Sequence, residues 1–427
     1  MVNAGSKERE RLIALQALRA VAATMVVLAH AQGFIQLYAE SHGQPFARFE
    51  LLPLATGVDL FFVISGFVVV FASQSFFATT DGWREFMRRR LIRIVPLYWS
   101  VLTLRLLVLA VGAAAGAKAF PDLMAIVTSY LFIPYDAMGF GSEYPFPIVD
   151  LGWTLNYEMF FYVLFACVIA LPRARAVALI AACLAGGVVF AGVSEPQSAA
   201  LRFWLRPITW EFAVGALVAL AFFRGVVLPR ALRSVMLVGA LLIWSVPVCW
   251  LTDTSGPGFY GWARLCLWGT GAVLIVAAAV LGPTSFRSPW SRALARLGDS
   301  SYALYLLHPF VFLIVKALLA KMSVPPFVLW PLVLGTTALA VAVAAAFHVH
   351  IEDPVTSWLR QMTANRSLVR RYAPINERRI AHLQRTVGSR TPIAAGNFDQ
   401  TGHRHRNAAR AGLNRRATDR PGHLDAA

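Results

Sequence analysis

The sequence predicts an all-α, polytopic membrane helix bundle of about ten transmembrane helices, with both termini cytoplasmic. Three observations carry that reading. Of 427 residues, 58% are hydrophobic and only 14% charged, whereas soluble globular chains run at roughly 45–50% apolar and about 25% charged. The apolar residues gather into runs near the length of about 20 residues that a helix needs to cross a bilayer. The loops alternate in charge: segments assigned to the cytoplasm hold 15 Lys and Arg residues and those assigned outside hold 5, as the positive-inside rule requires.

In chain order, residues 1–11 form a short cytoplasmic N-terminus with Lys7, Arg9 and Arg11. The first helix, 12–37, is too long for the apolar core of a secretory signal and runs on through His30, so it stays in the mature protein. A second helix at 57–78 is followed by a cytoplasmic loop with Arg84, Arg88, Arg89 and Arg90, then a third helix at 91–115. The external stretch 116–150 is the longest loop, and its apolar part, Leu123 to Ile133, dips back into the bilayer. Helices then follow at 151–172, 176–193, 207–223, 234–251, 263–281, 303–321 and 329–350, which closes a membrane domain over 12–350. From residue 351 the chain becomes Arg-rich, with 14 basic and 6 acidic residues in 351–427. This reads as a basic cytoplasmic tail beside anionic lipid, disordered from about Gly388.

The formal net charge of +17 therefore points to a membrane surface. Nucleic acid is excluded as a partner, because nucleic-acid binders carry basic stripes on soluble folds. Cys167, Cys183, Cys249 and Cys266 lie in apolar runs without CxxC spacing and read as packing residues. No His, Cys and carboxylate set has ligand spacing, so no metal is expected.

A charge in the hydrocarbon costs roughly 2.5–3.5 kcal/mol on insertion scales, so intramembrane ionisable residues are functional candidates. Here they are Arg19, His30, Asp59, Arg93, Arg105, Glu158, Glu211, His308 and Lys316. Arg105 and Lys316 read as snorkelling side chains. Eleven residues fall within about 20° of three helical turns and rise about 16.5 Å, which places Arg19 and His30 on one face of the first helix. Glu158, two turns below the outer surface, shares the depth of His30, and Asp59 is a third polar group on that side. An imidazole oriented by a carboxylate is a general base, so His30 with Glu158, or with Asp59, forms a candidate catalytic set. Packing between helices is the alternative reading for each of the three.

Arg90 and Arg93 are i and i+3 on one helix face, an arrangement suited to gripping phosphate with planar guanidinium donors. His308 is placed on the same inner side. Trp153, Asn156 and Tyr157 either offer stacking and hydrogen-bonding surfaces to a sugar acceptor or belong to the interfacial aromatic belt. An anion site inside, a base outside and an arginine between suit a long phosphorylated donor such as coenzyme A. Two rival readings use the same residues: a proton-coupled transporter or exporter of a glycan or small metabolite, and a non-catalytic scaffold of a polysaccharide synthesis complex.

Five ordered stretches carry a resemblance: LQALRAVAATMVVLAH (15–30), GVDLFFVISGF (57–67), RRLIRIVPLYW (89–99), LGWTLNYEMFFYVLF (151–165) and LGDSSYALYLLHPF (297–310). The sequence resembles the membrane acyltransferase-3 family, in particular its stand-alone exopolysaccharide O-acetyltransferases of rhizobial type. In that family an arginine and a histidine separated by ten residues in the first helix, and an RxxR pair at the third, are functional signatures. The resemblance thus carries the catalytic histidine onto His30 and acyl-CoA handling onto Arg19, Arg90 and Arg93. It implies a multi-pass protein of the bacterial inner membrane that uses acetyl-CoA or another acyl-CoA as donor substrate, with no bound cofactor. The implied acceptor is a hydroxyl of an extracytoplasmic or lipid-linked glycan such as exopolysaccharide, with polysaccharide synthesis machinery as a partner. The chain departs from the pattern at Gln16-Ala17, where many members have Asp-Gly, and at Met159, where many have a second acidic residue after the position of Glu158.

Overall fold

Exposed aliphatic side chains cover this molecule on the outside as well as filling its core, the pattern of a protein solvated by lipid. Val193 is 82% exposed and Leu242 65% exposed. The computed structural model of the protein describes residues 2–116, 119–137, 145–246, 261–283 and 288–363, with side chains from residue 12 onward. Cys249 and the tail beyond residue 363 lie outside the described residues. The remaining cysteines, Cys167, Cys183 and Cys266, are free and exposed, so they face outward where internal packing was expected.

The described elements are helical. They run α1 (Val2–Ser41), α2 (Gly57–Ala72), α3 (Gly82–Ala114), the short α4 (Leu123–Tyr130), α5 (Trp153–Val168), α6 (Arg173–Ser194), the short α7 (Ala199–Trp204), α8 (Trp210–Phe223) and α9 (Arg230–Trp244). Then come α10 (Trp262–Arg264), a π-helical turn over Leu265–Gly269, α11 (Thr270–Val280), α12 (Pro289–Asp299), α13 (Ser301–Leu319) and α14 (Leu329–Phe347). A second π turn at His348–Glu352 leads into α15 (Asp353–Thr363). Among the described residues, eight helical segments are long and apolar enough to cross a membrane, and Pro207–Phe223 is a shorter apolar one. The fold is an all-α polytopic membrane bundle.

The boundaries move for physical reasons. The first helix begins at Val2 and not at 12, because Lys7-Glu8-Arg9-Glu10-Arg11 are good helix formers with nothing to stop them. The RRRLIR segment lies inside α3, a 33-residue helix, instead of ahead of it. Pro96 within that helix has no N–H to return to the Ile92 carbonyl. The apolar stretch from Leu123 forms only the two turns of α4, capped by Asp122, whose side chain accepts from the Ala125 N–H at 2.6 Å. Residues 289–299, expected as loop, form an amphipathic helix whose Trp290 is 84% exposed, the form of a helix lying in the interface plane.

Close approaches set the positions of the site helices. A Cβ on Gly66 would stand 2.1 Å from the Phe212 carbonyl oxygen, and one on Gly215 would stand 2.1 Å from that of Val63. Helices α2 and α8 therefore touch backbone to backbone, as small residues allow in membranes. Beside that crossing Phe62 stacks on Phe212 at 4.5 Å and Phe161 on Phe212 at 4.8 Å. Four turns into α1, a Cβ on Gly298 would lie 1.8 Å from the Gln16 carbonyl oxygen, so only glycine lets α12 seat there.

Candidate active site

Helices α1, α2, α3, α5 and α13 surround an open cavity. Its polar lining includes Arg19, Ser65, Arg90, Arg93, Glu158 and Tyr162. The Arg90 guanidinium, 8% exposed, lies over the rings of Phe86 at 5.5 Å and Tyr162 at 5.3 Å. Glu158 accepts from Ser65 Oγ at 3.0 Å and from the Tyr162 hydroxyl. Arg19 donates through Nη1 to Gln16 Oε1 at 3.2 Å, and Gln16 Nε2 donates to Asp299 Oδ1 at 2.5 Å. Burial pushes the Asp299 carboxyl up from its ordinary range. Arg93 is half-buried and makes no hydrogen bond to another described residue. Three guanidinium groups thus share one cavity with a single carboxylate in its lining, an arrangement that favours a bound anion.

Beyond this cavity lies a pair of histidines. Nδ1 of His30 and Nε2 of His308 are 2.8 Å apart. His30 is exposed while His308 is 2% exposed. Tyr305 lines the cavity and also meets the His308 ring edge-on at 6.4 Å and Phe61 at 6.3 Å. Its hydroxyl is fixed by donating to the Leu151 carbonyl at 3.1 Å and accepting from Thr154 Oγ1 at 3.0 Å. Tyr305 therefore stands between the arginines and the histidines.

Several residues lie elsewhere than the sequence suggested. His308 faces His30 and not the arginines, because α13 already begins at Ser301 and carries His308 two turns into the bundle. Glu158 sits in the arginine cavity with Arg19, about 16.5 Å along α1 from His30. The equal depth inferred for His30 and Glu158 assumed that the chain is at the surface near residue 151. In the structure Ile148, Val149 and Leu151 are already buried, and the Ile148 N–H donates to Ser129 Oγ at 3.0 Å, so the chain is inside the protein before α5 starts.

Asp59 is not beside His30 either. Its carboxylate is held by Arg264, with Nη2 to Oδ2 at 2.8 Å and Nε to Oδ1 at 3.1 Å, both side chains being at most 2% exposed. Arg264, expected in an external loop, is buried because a carboxylate within the bundle matches its two donors. Glu211 is the third ionisable group here, its Oε1 2.9 Å from where a Cβ on Gly269 would be. Trp153, Asn156 and Tyr157 are absent from the cavity lining. The Tyr157 hydroxyl donates to the Phe203 carbonyl at 2.6 Å and its ring stacks on Phe203 at 4.3 Å. Trp153 packs edge-on against Phe62, and the Asn156 carbonyl accepts from Trp204 Nε1 at 3.3 Å. Sequence reasoning passed over Ser65, Tyr162, Tyr305, Gln16 and Asp299. A signal was present for two of them: Tyr162 is i+4 from Glu158, and Tyr305 lies one turn before His308.

A membrane bundle with clustered arginines in an open cavity and a hydrogen-bonded histidine pair beyond it has the equipment of a membrane-embedded acyl-transfer enzyme. The chain belongs to the acyltransferase-3 family, whose acyltransferase domain matches residues 12–349, and it is an O-acyltransferase. It is 31% identical over 301 residues to the exopolysaccharide production protein ExoZ of Rhizobium meliloti (strain 1021), covering 67% of this chain and 86% of that protein. It is 27% identical over 373 residues to nodulation protein 10 of Rhizobium leguminosarum bv. viciae, covering 82% of this chain and 94% of that protein. It is 28% identical over 286 residues to the acyltransferase MdmB of Streptomyces mycarofaciens, covering 61% of this chain and 67% of that protein. No solved structure matches the chain.

Proposed function

We propose that the protein transfers an acetyl or other acyl group from cytoplasmic acyl-CoA to a hydroxyl of an extracytoplasmic or lipid-linked glycan. The observation that carries this reading is the Arg93 guanidinium, without a hydrogen-bond partner among the described residues, in a cavity shared with Arg90 and Arg19. Like charges held together in a site of low dielectric repel unless an anion joins them, and the phosphates of CoA supply one. Arg90 and Arg93 hold those phosphates, and Arg19 lines the path of the pantetheine arm toward His30. His30 removes the hydroxyl proton as the oxygen attacks the thioester carbonyl. The C–S bond then breaks, and the departing thiolate takes that proton back from His30. Glu158, fixed by Ser65 and Tyr162, is the counter-charge that keeps the arginines in place. Asp59 serves the fold through Arg264. The ExoZ relative supports exopolysaccharide as the acceptor class.

The donor site is tested by CoA binding to purified protein. Losing two charge-assisted contacts of about 1.5–3 kcal/mol each is expected to weaken CoA binding by at least about 10²-fold in Arg90→Ala/Arg93→Ala. The Arg90→Lys/Arg93→Lys protein, which keeps charge without the planar fork, is expected to fall between. Unchanged CoA affinity in the alanine protein overturns the donor site.

The charge alternation supports a protein of the bacterial inner membrane with both termini cytoplasmic, the 12–350 domain carrying the reaction and the 351–427 tail lying against the inner leaflet. Reporter fusions at each terminus are expected to give cytoplasmic signals. An external C-terminus would invert the donor and acceptor ends.

A further inference from the structure

The His308 ring is held on two sides. Its Nδ1 lies 3.1 Å from the Leu304 carbonyl, one turn earlier on α13. A carbonyl only accepts, so this nitrogen carries the proton. Pro309 follows His308 and has no N–H, which leaves the Tyr305 carbonyl, next along the same helix, without its helical donor. Phe312 closes the second side, edge-on at 5.3 Å. The backbone therefore keeps a proton on Nδ1, so that in the neutral ring the lone pair of His308 is on Nε2.

That Nε2 is the atom 2.8 Å from Nδ1 of His30. The two ring planes are within 17° and their centroids 5.1 Å apart. Rings so spaced, with two nitrogens at 2.8 Å, meet edge to edge along an N–H···N line, not face to face. Two lone pairs do not face each other at this distance, so Nδ1 of His30 is the donor. The lone pair of His30 is then on Nε2, the nitrogen turned away from His308, on the residue of the pair that is exposed.

We propose that His308 is a positioning residue for acyl transfer, holding His30 in the tautomer whose Nε2 receives the acceptor's hydroxyl proton. This rests on the transfer reaction given above. As the hydroxyl oxygen bonds to the thioester carbon, its proton moves to Nε2. The imidazolium keeps its Nδ1–H on His308 until the C–S bond breaks and the thiolate takes the Nε2 proton, which returns His30 to its starting form. A carboxylate commonly occupies this orienting position. Here a neutral ring held by the Leu304 carbonyl fills it, which avoids placing an ionised acid in the membrane. The two acids that the sequence offers for this position are engaged elsewhere, Glu158 with Ser65 and Tyr162, and Asp59 with Arg264.

The test compares His308→Leu with His308→Gln in the full-length protein at matched membrane levels. Glutamine can donate to Leu304 and accept from His30 at once, whereas leucine can do neither. His308→Leu is expected to slow glycan O-acetylation by about 10²-fold, within the span of general-base effects, and His308→Gln to recover most of that rate. CoA affinity is expected to stay native in both. Native activity in the leucine protein, or equal loss in both with CoA binding intact, overturns the role. A second measurement does not depend on transfer: diethyl pyrocarbonate acylates imidazole nitrogens that hold an accessible lone pair. Peptide mass spectrometry of the native protein is expected to find His30 modified and His308 spared. Modification of His308 as readily as His30, or none at His30, overturns the arrangement. If the native protein shows that labelling yet transfers no acyl group, the reaction assigned above falls and the role of His308 with it, while the tautomer geometry stands.

Discussion

Replacing His30 with alanine is expected to lower acyl transfer to the glycan by about 10²–10⁴-fold, the range that a positioned general base contributes, while the protein still folds and inserts. The expectation of folding follows from exposure: His30 is exposed, and its one side-chain hydrogen bond among the described residues is to His308. The loss is expected to be large because the polar groups of the adjoining cavity are already engaged. Tyr305 is bound at its hydroxyl to Leu151 and Thr154, and the nearest carboxylate of the cavity, Glu158, is bound to Ser65 and Tyr162. The measurement is proton NMR of O-acetyl groups on isolated surface and secreted glycans. Native protein and His30→Ala are expressed to equal membrane levels in a strain lacking the native copy. Acetyl that appears with the native chain and vanishes with the variant supports the base and the acceptor class together. Equal acetylation by both removes His30 from the reaction, and unaltered glycan in both, with a new small-molecule ester, moves the acceptor.

Which parts of this arrangement can be read from residues alone depends on how local they are. Apolar runs mark the membrane helices because each satisfies its own backbone within one segment. The shared face of Arg19 and His30, and the i, i+3 pair of Arg90 and Arg93, follow from helical periodicity within single helices. Depth between helices is not local. Counting from the presumed surface fails for Glu158 because residues 145–149 run into the protein before any helix begins. It fails for His308 because α13 begins at Ser301, where the runs suggest 303, and the helix lies deeper than a loop–helix boundary implies. Pairing is not local either. Arg264 reads as a loop charge until Asp59 and its two oxygens are set against it. The Pro309 signal next to His308 was legible in principle, since a proline always frees the carbonyl four residues back, but its use depends on which ring stands beside that carbonyl.

The buried ion pair leads to the second large effect, on stability. Removing one partner of such a pair costs about 3–5 kcal/mol, because the other charge stays buried without compensation. The two partners are not equivalent here. Arg264→Met leaves Asp59 and Glu211, both 0% exposed, as two neighbouring acids without the cation that acts on both. Asp59→Asn leaves Arg264 with Glu211 still nearby as an alternative counter-ion. Arg264→Met is therefore expected to cost the full amount and Asp59→Asn clearly less, although the two side chains share the same hydrogen bonds. The second change Asp59→Leu in the Arg264→Met background is expected to restore part of the loss, as apolar replacement of a whole buried pair often does. The measurement is the folded, monodisperse yield from membranes and the thermal unfolding midpoint in detergent, taken for all three proteins. Equal losses in the two single variants would mean that Glu211 does not share the site electrostatically. A double variant worse than Arg264→Met would mean that Asp59 has a partner besides Arg264. The pair joins α2, which brings Ser65 to the cavity, to the head of the π turn before α11. A variant that folds but loosens this joint is thus expected to lose CoA affinity as well, which separates a structural acid from the catalytic one that Asp59 resembled in the sequence.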